Sequence, residues 1–408
     1  MAERTILHVD LNNFYASVEC LYAPELKDKY MAVCGSISER HGVVLAKNQL
    51  AKEMGVKTGM TIIEASRICP GIVFVEAHHD RYEIWSKKAK DIYLRFTDKM
   101  ESFGIDEAWL DVSESKIFGD GVTIANSIRS AVKSELGLTV SVGVSFNKVF
   151  AKLGSDMKKP DATTVITREN YKETVWGLPV GDLLYVGRAT LNKLQKIGID
   201  TIGKLATADF DYISSYLGKI GENLWISANG KDDSPVQSER AEDIKSVGNS
   251  ITCYRDLKDE EDVAVLLTSL CESVSERVMR YDIGKATTLT LSVRDEELNW
   301  FTRQGKLKRP SCLSEDYFEK AMSLFKTNYK WDKNVRSLGV SVSGFTTEEQ
   351  MIFGESDDYE KRLKLAKTVN GIRDKYGDGV MRKGITLRDK SLTKGNIDGG
   401  GSLPPAHN

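Results

Sequence analysis

The sequence lacks the features that mark membrane-embedded, secreted and metal-stapled proteins. It has no apolar run of about 18 residues, so we expect no membrane span. Its six cysteines are scattered without Cys-x-x-Cys or Cys/His spacing, which argues against zinc sites and disulfides. Met1–Arg4 leads directly into a predicted strand, so we expect no signal peptide and a cytoplasmic location.

The chain also lacks a strong net charge of either sign. Its 57 Lys and Arg residues nearly balance 59 Asp and Glu residues, which gives a formal net charge of −2. This balance alone argues mildly against a nucleic-acid-binding protein, but acids clustered at a metal site can offset a basic groove elsewhere. The 408 residues, of which 41% are hydrophobic, are enough for roughly two to four domains with cores of their own.

What the sequence does contain is an adjacent pair of acids in an apolar frame. Asp106 and Glu107 lie in a segment predicted as a strand or a strand–turn. Because neighbouring strand residues point to opposite faces, both acids reach one site only if the backbone bends between them, and Gly104 allows such a bend. A divalent cation would remove the cost of burying two like charges. An exposed acidic turn is the alternative interpretation.

A third acid follows a predicted buried strand near the N-terminus. Ile6–Val9 is a short apolar run, Asp10 is placed where this strand ends, and a helix is predicted from Phe14. An acid at the end of a buried strand, with an acid pair about a hundred residues later, is typical of two-metal phosphoryl-transfer sites, in which Mg²⁺ takes oxygen ligands.

Three blocks of sequence occur in a specific order: His8–Glu19, Gly104–Asp111 and Gly143–Pro160. Together they resemble the Y-family of translesion DNA polymerases, in the bacterial DinB/UmuC-like branch, and the resemblance covers about residues 1–346. It implies an α+β, multidomain right-hand fold whose βαββ-type palm is a mixed sheet with helices on one side. The implied parts are a palm (1–20 and 78–165), small fingers (21–77), a helical helix-hairpin-helix thumb (166–232), a linker (233–245), an α/β little finger (246–346) and a tail (347–408).

The resemblance implies template-directed, low-fidelity addition of dNTPs to a primer 3′ end in DNA damage tolerance, without proofreading. Asp10, Asp106 and Glu107 are the implied catalytic acids, and with the backbone carbonyl of Leu11 they are the implied ligands of two Mg²⁺ ions. A nucleotide cyclase has a similar palm but needs no helix-hairpin-helix. A catalytically inactive DNA-binding scaffold is the other alternative, against which the three intact acids argue.

The resemblance also assigns residues to the incoming nucleotide. Tyr15 matches the family's sugar gate, a ring that leaves no room for a 2′-hydroxyl, and Phe14 is expected to support it; core packing is the alternative role for Tyr15. Lys159 is expected to pair with the β- or γ-phosphate.

In the fingers, this sequence departs from the family pattern. Gln49 and Lys52 stand where the DinB branch has a tyrosine and an arginine on the triphosphate. Lysine is a point charge and cannot contact two oxygens with a planar fork as arginine can. Leu45 is expected in the roof over the nascent base pair.

DNA contacts are predicted in two places. Gly187 opens a helix in a hairpin resembling a helix-hairpin-helix, whose backbone N–H groups can hold a phosphate, although Tyr185 stands where the family has a second glycine. A plain helical connector is the alternative. The second place is a basic cluster between two predicted elements of the little finger, for which a solvated loop is the alternative. This cluster consists of Arg303, Lys306, Lys308 and Arg309.

The tail is expected to contain a charged helix over Tyr359–Tyr376 and a disordered end from Lys394. Before that helix lies a degenerate version of the peptide with which such enzymes dock on a sliding clamp. Its residues are Gln350, Met351, Ile352 and Phe353. We therefore expect a monomer that binds primer–template DNA, dNTPs and a sliding clamp.

Overall fold

The computed structural model describes residues 4–37, 42–237, 244–347, 356–389 and 391–392. The chain divides into two compact units, Met1–Val33 with Val44–Glu239 and Cys34–Val43 with Arg240–Asn408. Within the described ranges, no helix combines the length and the apolar character that crossing a membrane would require. The finer boundaries expected for palm, fingers and thumb stay predictions.

The regular elements are numbered here in chain order over the described residues. The strands are β1 (Ile6–Leu11), β2 (Met31–Cys34), β3 (Val44–Lys47), β4 (Val73–Glu76), β5 (Met100–Phe103), β6 (Glu107–Asp111), β7 (Val140–Ser145), β8 (Thr163–Ile166), β9 (Ser246–Leu257), β10 (Lys285–Asp295), β11 (Trp300–Ser311) and β12 (Val335–Thr346). The α-helices are α1 (Phe14–Tyr22), α2 (Gln49–Glu53), α3 (Ile62–Ile68), α4 (His79–Tyr93), α5 (Gly121–Ala131), α6 (Lys148–Met157), α7 (Tyr171–Val175), α8 (Arg188–Lys196), α9 (Ile202–Thr207), α10 (Phe210–Leu217), α11 (Lys219–Ala228), α12 (Glu260–Arg280), α13 (Ser314–Asn328) and α14 (Ser356–Tyr376).

The first unit is built around a five-stranded sheet of order β5-β6-β1-β7-β8. Strand β1 is antiparallel to both β6 and β7, and only β7 and β8 in this sheet run parallel. Leu7 and Val9 point into an apolar core that α4 and α5 cover. Every residue of β1 is buried, as its apolar run predicts.

Helix α6 covers the opposite face of this sheet. His8 Nδ1 lies 2.8 Å from Ser155 Oγ of α6, and Trp109 Nε1 donates to the carbonyl of Lys148 at 2.9 Å. The approach is so close that a Cβ on Gly143 would lie 1.9 Å from the carbonyl oxygen of Ala151. The expectation of helices on one side only is therefore wrong, because Gly143 removes the side chain that would keep a helix away.

Two smaller parts complete the first unit. A three-stranded sheet of order β3-β2-β4 packs with α2 and α3, whose starts are capped by Asn48 and Thr61. Helices α7–α11 share a separate apolar core with residues of α6 such as Phe150. All six cysteines of the chain are unpaired and buried.

The second unit contains a four-stranded antiparallel sheet of order β11-β10-β12-β9. Leu289, Leu291 and Val340 point to one face, where α12 and α13 cover them. Strand β11 carries the basic cluster that was expected between two elements. That expectation is wrong, because the segment pairs with β10 as an edge strand, and its mixed polar sequence hides the period of two.

The other face of this sheet carries small polar residues in cross-strand rows. Thr290 lies opposite Ser341, which lies opposite Gly248, and the flanking rows are of the same kind. We call this surface the hydroxyl face, and its members are Ser246, Gly248, Ser250, Thr288, Thr290, Ser292, Gly339, Ser341 and Ser343.

Helix α14 forms over the predicted segment, but it packs against the second unit. Arg373 is buried and lies 3.4 Å from Glu272 of α12, and the Tyr359 hydroxyl lies 3.4 Å from the backbone N of Cys312. This segment therefore contacts the folded part of the second unit. The clamp-peptide residues 350–353 and the end from 394 lie outside the described residues.

Candidate active site

The three candidate acids meet because of strand register and one turn. Asp10 of β1 lies directly opposite Glu107 of β6, and opposed residues on paired strands share a face, which here is the α6 face. Asp106 lies in the turn between β5 and β6, where Gly104 has a φ of 79°. The backbone carbonyl of Asp106 accepts a hydrogen bond from Leu11 N at 3.0 Å. The bend expected between the two adjacent acids is therefore present.

Two lysines lie among these carboxylates. Lys152 Nζ of α6 is 2.8 Å from Glu107 Oε2 and 3.5 Å from Asp10 Oδ2. Lys159 Nζ is 2.6 Å from Asp10 Oδ2 and 2.7 Å from Asp156 Oδ1. Lys159 was expected on a phosphate and is paired with an acid in this structure. The sequence analysis missed Lys152, because the packing of α6 against the strands with the acids brings it to the site, and sequence spacing does not reveal that packing.

The lysines do not fully compensate the buried negative charge. Burial, then the charge of Glu107, raises the pKa of Asp106 to about 6. Burial also raises the pKa of Asp10, and the nearby Glu107 adds to this effect while Lys159 opposes it. The site thus favours additional positive charge next to these two carboxyl groups.

His8 lies behind Glu107 and was missed by the sequence reasoning. It is fully buried, with Nδ1 2.8 Å from Ser155 Oγ and Nε2 3.2 Å from Glu107 Oε2. Burial lowers the pKa of His8 to about 4. Burial opposes ionisation of Glu107, but His8 and Lys152 outweigh it and hold the pKa of Glu107 below its usual range. The sequence feature that could have indicated His8 is its position two residues before Asp10, which puts both side chains on the same face of the predicted strand.

The donor set fits a hard divalent cation. Glu107 Oε2 is buried and makes no hydrogen bond of acceptable geometry, and the groups that face it are Lys152 Nζ at 2.8 Å and His8 Nε2 at 3.2 Å. All the candidate ligand atoms are oxygens, which Mg²⁺ prefers. Across the described part of the chain, no three His, Cys, Asp or Glu side chains are already arranged around a metal position, and here lysine ammonium groups lie between the carboxylates.

An open cleft of about 250 Å³ joins these acids to a group of lysines. The acids Asp10, Asp106 and Glu107 lie on one wall. The other polar wall comes from β3, α2 and the segment after α6. The further lining residues are Leu11, Asn12, Asn13, Phe14, Leu45, Ala46, Lys47, Gln49, Lys52, Thr58, Lys159 and Pro160. The predicted residues Phe14, Leu45, Gln49, Lys52 and Lys159 are therefore brought together with the acids.

Lys47 is a further lining residue that sequence reasoning missed. Its Nζ donates to Thr58 Oγ1 at 2.9 Å. Burial and the charges of Lys52 and Lys159 lower the pKa of Lys47, so three like charges converge on the cleft. Such a group is stabilised by an anionic ligand. The sequence feature that could have indicated Lys47 is its position directly before Asn48, where a strand ends and a short helix begins.

Tyr15 does not line the cleft but lies next to it. Its ring stacks on Tyr82 of α4, with ring centroids 4.0 Å apart and an interplanar angle of 11°. Burial, and then the charge of Asp106, raises the pKa of Tyr15. Phe14 contacts the Tyr15 ring at a centroid distance of 5.7 Å.

The first candidate DNA contact is the start of α8, which has the expected glycine but lacks the family's second glycine. Gly187 is the N-cap residue of α8, and open space surrounds the position that a Cβ would take there. Tyr185 adopts a left-handed backbone with a φ of 70°, and 72% of it is exposed. A tyrosine therefore takes the strained conformation that glycine usually supplies.

The basic cluster on β11 is split between two sides of the sheet. Lys306 lies opposite Thr288 and so extends the hydroxyl face. The other three side chains contact α13, on the opposite side. These pairs are Arg303 with Asn328, Lys308 with Glu319 and Arg309 with Asp316.

Comparison with known proteins decides the family. The chain matches the impB/mucB/samB family over residues 9–156 and the C-terminal domain of that family over residues 244–353. It is similar to DNA polymerase IV of Acetivibrio thermocellus, with 50% identity over 398 residues that span 96% of this chain and 100% of that protein. The chain belongs to the bacterial, DinB-type branch of the Y-family DNA polymerases. This Y-family chain is thus a DNA-directed DNA polymerase of the translesion class.

Other relatives agree with this assignment. DNA polymerase IV 1 of Bacillus subtilis is 36% identical over 399 residues, which span 96% of this Y-family chain and 95% of that protein. A solved Y-family DNA polymerase chimera superimposes with a TM-score of 0.74 and 24% identity, covering 84% of this chain and 100% of the chimera. The chimera shows the fold, and with it the expected architecture of palm, fingers, thumb and little finger is confirmed.

Proposed function

We propose that this polymerase adds dNTPs to a primer 3′ end by two-Mg²⁺ nucleotidyl transfer, with low fidelity and opposite damaged template bases. The observation that supports this most directly is the cleft itself. One wall carries Asp10, Asp106 and Glu107, and another carries Lys47 and Lys52. A site with acids for cations and lysines for phosphates suits a metal-bound nucleoside triphosphate.

Asp10, Asp106, Glu107 and the carbonyl of Leu11 would hold the two Mg²⁺ ions. When bound, the ions would supply charge neutralisation and would make the primer 3′-hydroxyl more acidic. The protein contributes fixed geometry, because His8 and Lys152 hold the Glu107 carboxylate from two directions. Catalysis by this chain is then mainly alignment of the 3′-oxygen with the α-phosphate.

The lysines would bind the triphosphate. Lys159 lines the cleft and is assigned to the β- or γ-phosphate. To bind it, Lys159 would leave the ion pair that it makes with Asp10 in this structure. Lys47 and Lys52 would take up the role that an arginine has in the DinB branch, and Gln49 can donate one hydrogen bond. Leu45 would form part of the roof over the base pair.

Tyr15 is assigned to sugar selection. Its ring is held against Tyr82 next to the cleft, so a ribose 2′-hydroxyl would meet a rigid surface. Tyr15→Ala should raise the ratio of kcat/KM for NTP to that for dNTP by about 100-fold, because the clash disappears. An unchanged ratio would mean that Tyr15 only packs against the core.

Primer–template DNA would be held at two places that read no sequence. Gly187 opens α8, whose first N–H groups can bind a phosphate. On the second unit, the hydroxyl face and Lys306 offer hydrogen-bond donors and one charge at the edge of a sheet. We assign the enzyme to the cytoplasm as a monomer that gains processivity from a sliding clamp.

Primer extension separates this function from its alternatives. A labelled primer–template with dNTPs and Mg²⁺ should be extended, and a template with a damaged base should also be copied. Release of pyrophosphate from ATP alone would indicate a cyclase, and DNA binding without turnover would indicate a scaffold. Extension that always stops at damaged bases would contradict the translesion assignment.

Clamp binding has a separate test. Replacing Ile352 and Phe353 together with Ala should leave extension without a clamp unchanged and remove the stimulation that a loaded clamp provides, since tethering raises the effective concentration of DNA ends. Equal stimulation of both proteins would move the contact to another surface.

A further inference from the structure

A buried carboxylate lies behind Tyr15 and has no role in the function proposed above. Glu19 is on α1, one helical turn after Tyr15, and only 3% of it is exposed. A buried carboxylate without partners would be strongly destabilising, so such residues are held by donors or cations. The partners of Glu19 all come from one short segment at the start of α4.

Three side chains meet the two oxygens of Glu19. The Tyr82 hydroxyl donates to Oε1 at 2.7 Å, and His78 Nδ1 lies 3.0 Å from the same atom. Arg81 Nη1 lies 3.0 Å from Oε2. The Tyr82 hydroxyl also accepts from the backbone N of His78 at 3.1 Å, so both its donor and its acceptor capacity are used. Tyr82 is fully buried, and this arrangement leaves its ring one position.

The ring that Glu19 holds is the ring on which Tyr15 stacks. The Tyr15 and Tyr82 rings are nearly parallel at 4.0 Å, and His79 meets Tyr15 edge-on at 5.9 Å. With Phe14, these rings give Tyr15 three aromatic neighbours, and one of them, Tyr82, is anchored to a buried carboxylate.

We propose that Glu19 is a positioning residue for sugar selection, which fixes Tyr82 and through it the plane of the Tyr15 ring. This inference rests on the proposed role of Tyr15. A group that rejects a substrate for one hydroxyl has to be held within about 0.5 Å, and that requires support from residues behind it. Glu19 provides this support without touching the nucleotide.

The test is the sugar preference of Glu19→Gln and Tyr82→Phe. Both variants keep the size of the side chain and weaken the anchor. We expect the ratio of kcat/KM for NTP to that for dNTP to rise about tenfold in Glu19→Gln, and less in Tyr82→Phe, because displacements of well under 1 Å already change such ratios. The double variant Tyr15→Ala/Glu19→Gln should have the same ratio as Tyr15→Ala, since the anchor has nothing left to position.

Tyr22→Phe is the matched control. Tyr22 is on the same helix as Glu19, and its hydroxyl accepts from Trp85 Nε1 of α4 at 3.3 Å, so this variant loosens the same helix pair away from Tyr15. Its ratio should equal that of the wild type. A rise as large as that of Tyr82→Phe would overturn the proposal in favour of general α1–α4 packing.

The remaining outcomes are decisive as well. An unchanged ratio in both Glu19→Gln and Tyr82→Phe refutes the proposal, even if activity with both nucleotides falls, because a merely structural role lowers both alike. Should Glu19→Gln fail to fold, Tyr82→Phe decides alone. If Tyr15→Ala raises the ratio and the other two variants do not, only the role of Glu19 is refuted. If Tyr15→Ala leaves the ratio unchanged, Tyr15 is no gate and both ideas fail together.

Discussion

The two large sheets of the molecule differ in what covers them. The five-stranded sheet of the first unit has α4 and α5 on one face and α6 on the other, and its polar residues are buried among fixed partners. The four-stranded sheet of the second unit has α12 and α13 on one face, while its other face carries Ser, Thr and Gly in rows.

This difference fits the two roles that we propose above, chemistry on the triphosphate at the first sheet and DNA contact at the second. Chemistry on a triphosphate needs charged groups held in one geometry, which burial between two layers provides. Movement along DNA needs many weak and equivalent contacts to the backbone, which small hydroxyl groups provide without reading bases. Burial accordingly raises the pKa values of Asp10 and Asp106 beside the first sheet, whereas the hydroxyl face carries no acid in any of its rows.

The largest effect should come from the buried acids. Asp106→Ala or Glu107→Ala should lower single-turnover incorporation by at least about 1000-fold, because an oxygen ligand of the proposed metal site is lost. DNA affinity should persist, since phosphate contacts elsewhere carry it. Asp91→Ala, an exposed acid on α4, is the control and should incorporate normally. Normal incorporation by either active-site variant would refute the assignment.

A glycine in each sheet tests how tightly the layers pack. In Gly143→Ala the new Cβ would lie 1.9 Å from backbone atoms of α6, so we expect a loss of at least about 3 kcal/mol in the free energy of unfolding. In Gly339→Ala the Ser292 Oγ at 2.5 Å can rotate away but the Ser250 Cβ at 2.9 Å cannot, so we expect a smaller loss of about 2 kcal/mol. Thermal or denaturant unfolding of both variants measures the contrast, and equal losses would contradict it.

The lysines of the cleft should affect nucleotide binding in a moderate and uniform way. Lys47→Ala and Lys52→Ala should each raise KM about tenfold for all four dNTPs, since each loses a charge-assisted contact to phosphate. Lys52→Arg should lower KM, because a guanidinium can contact two oxygens.

Lys57→Ala, an exposed lysine just after α2, serves as the control for this pair and should bind dNTPs normally. An effect of Lys47→Ala that depended on the base would place this residue against the base pair and not against the triphosphate.

The smallest effect should come from the edge of the hydroxyl face. Lys306→Ala should weaken primer–template binding a few-fold and reduce the slope of log affinity against log salt by about 1. Arg303→Ala is a control on the same strand, because Arg303 contacts Asn328 of α13 on the other side. Titrations at several salt concentrations distinguish the two, and a larger change in slope for Arg303→Ala would reverse the assignment of faces.

Local patterns were enough to predict much of the fold that carries the site. The apolar run before Asp10, the helix that begins at Phe14 and the bend allowed by Gly104 all involve residues within a few positions of one another. Periodicity and capping act over such distances, so a single sequence contains them.

Tertiary packing decided the rest. Lys152 and Lys159 reach Asp10 across about 150 positions of chain, and His8 reaches Glu107 from a neighbouring strand, so no local spacing predicts these contacts. Strand β11 was missed because Arg303 and Gly305 interrupt its apolar core-facing positions Phe301 and Leu307, and an edge strand of this kind is recognised by its pairing with β10. Alternation along the strand places Lys306 and Arg303 on opposite sides, and the register with β10 decides which of the two sides faces α13.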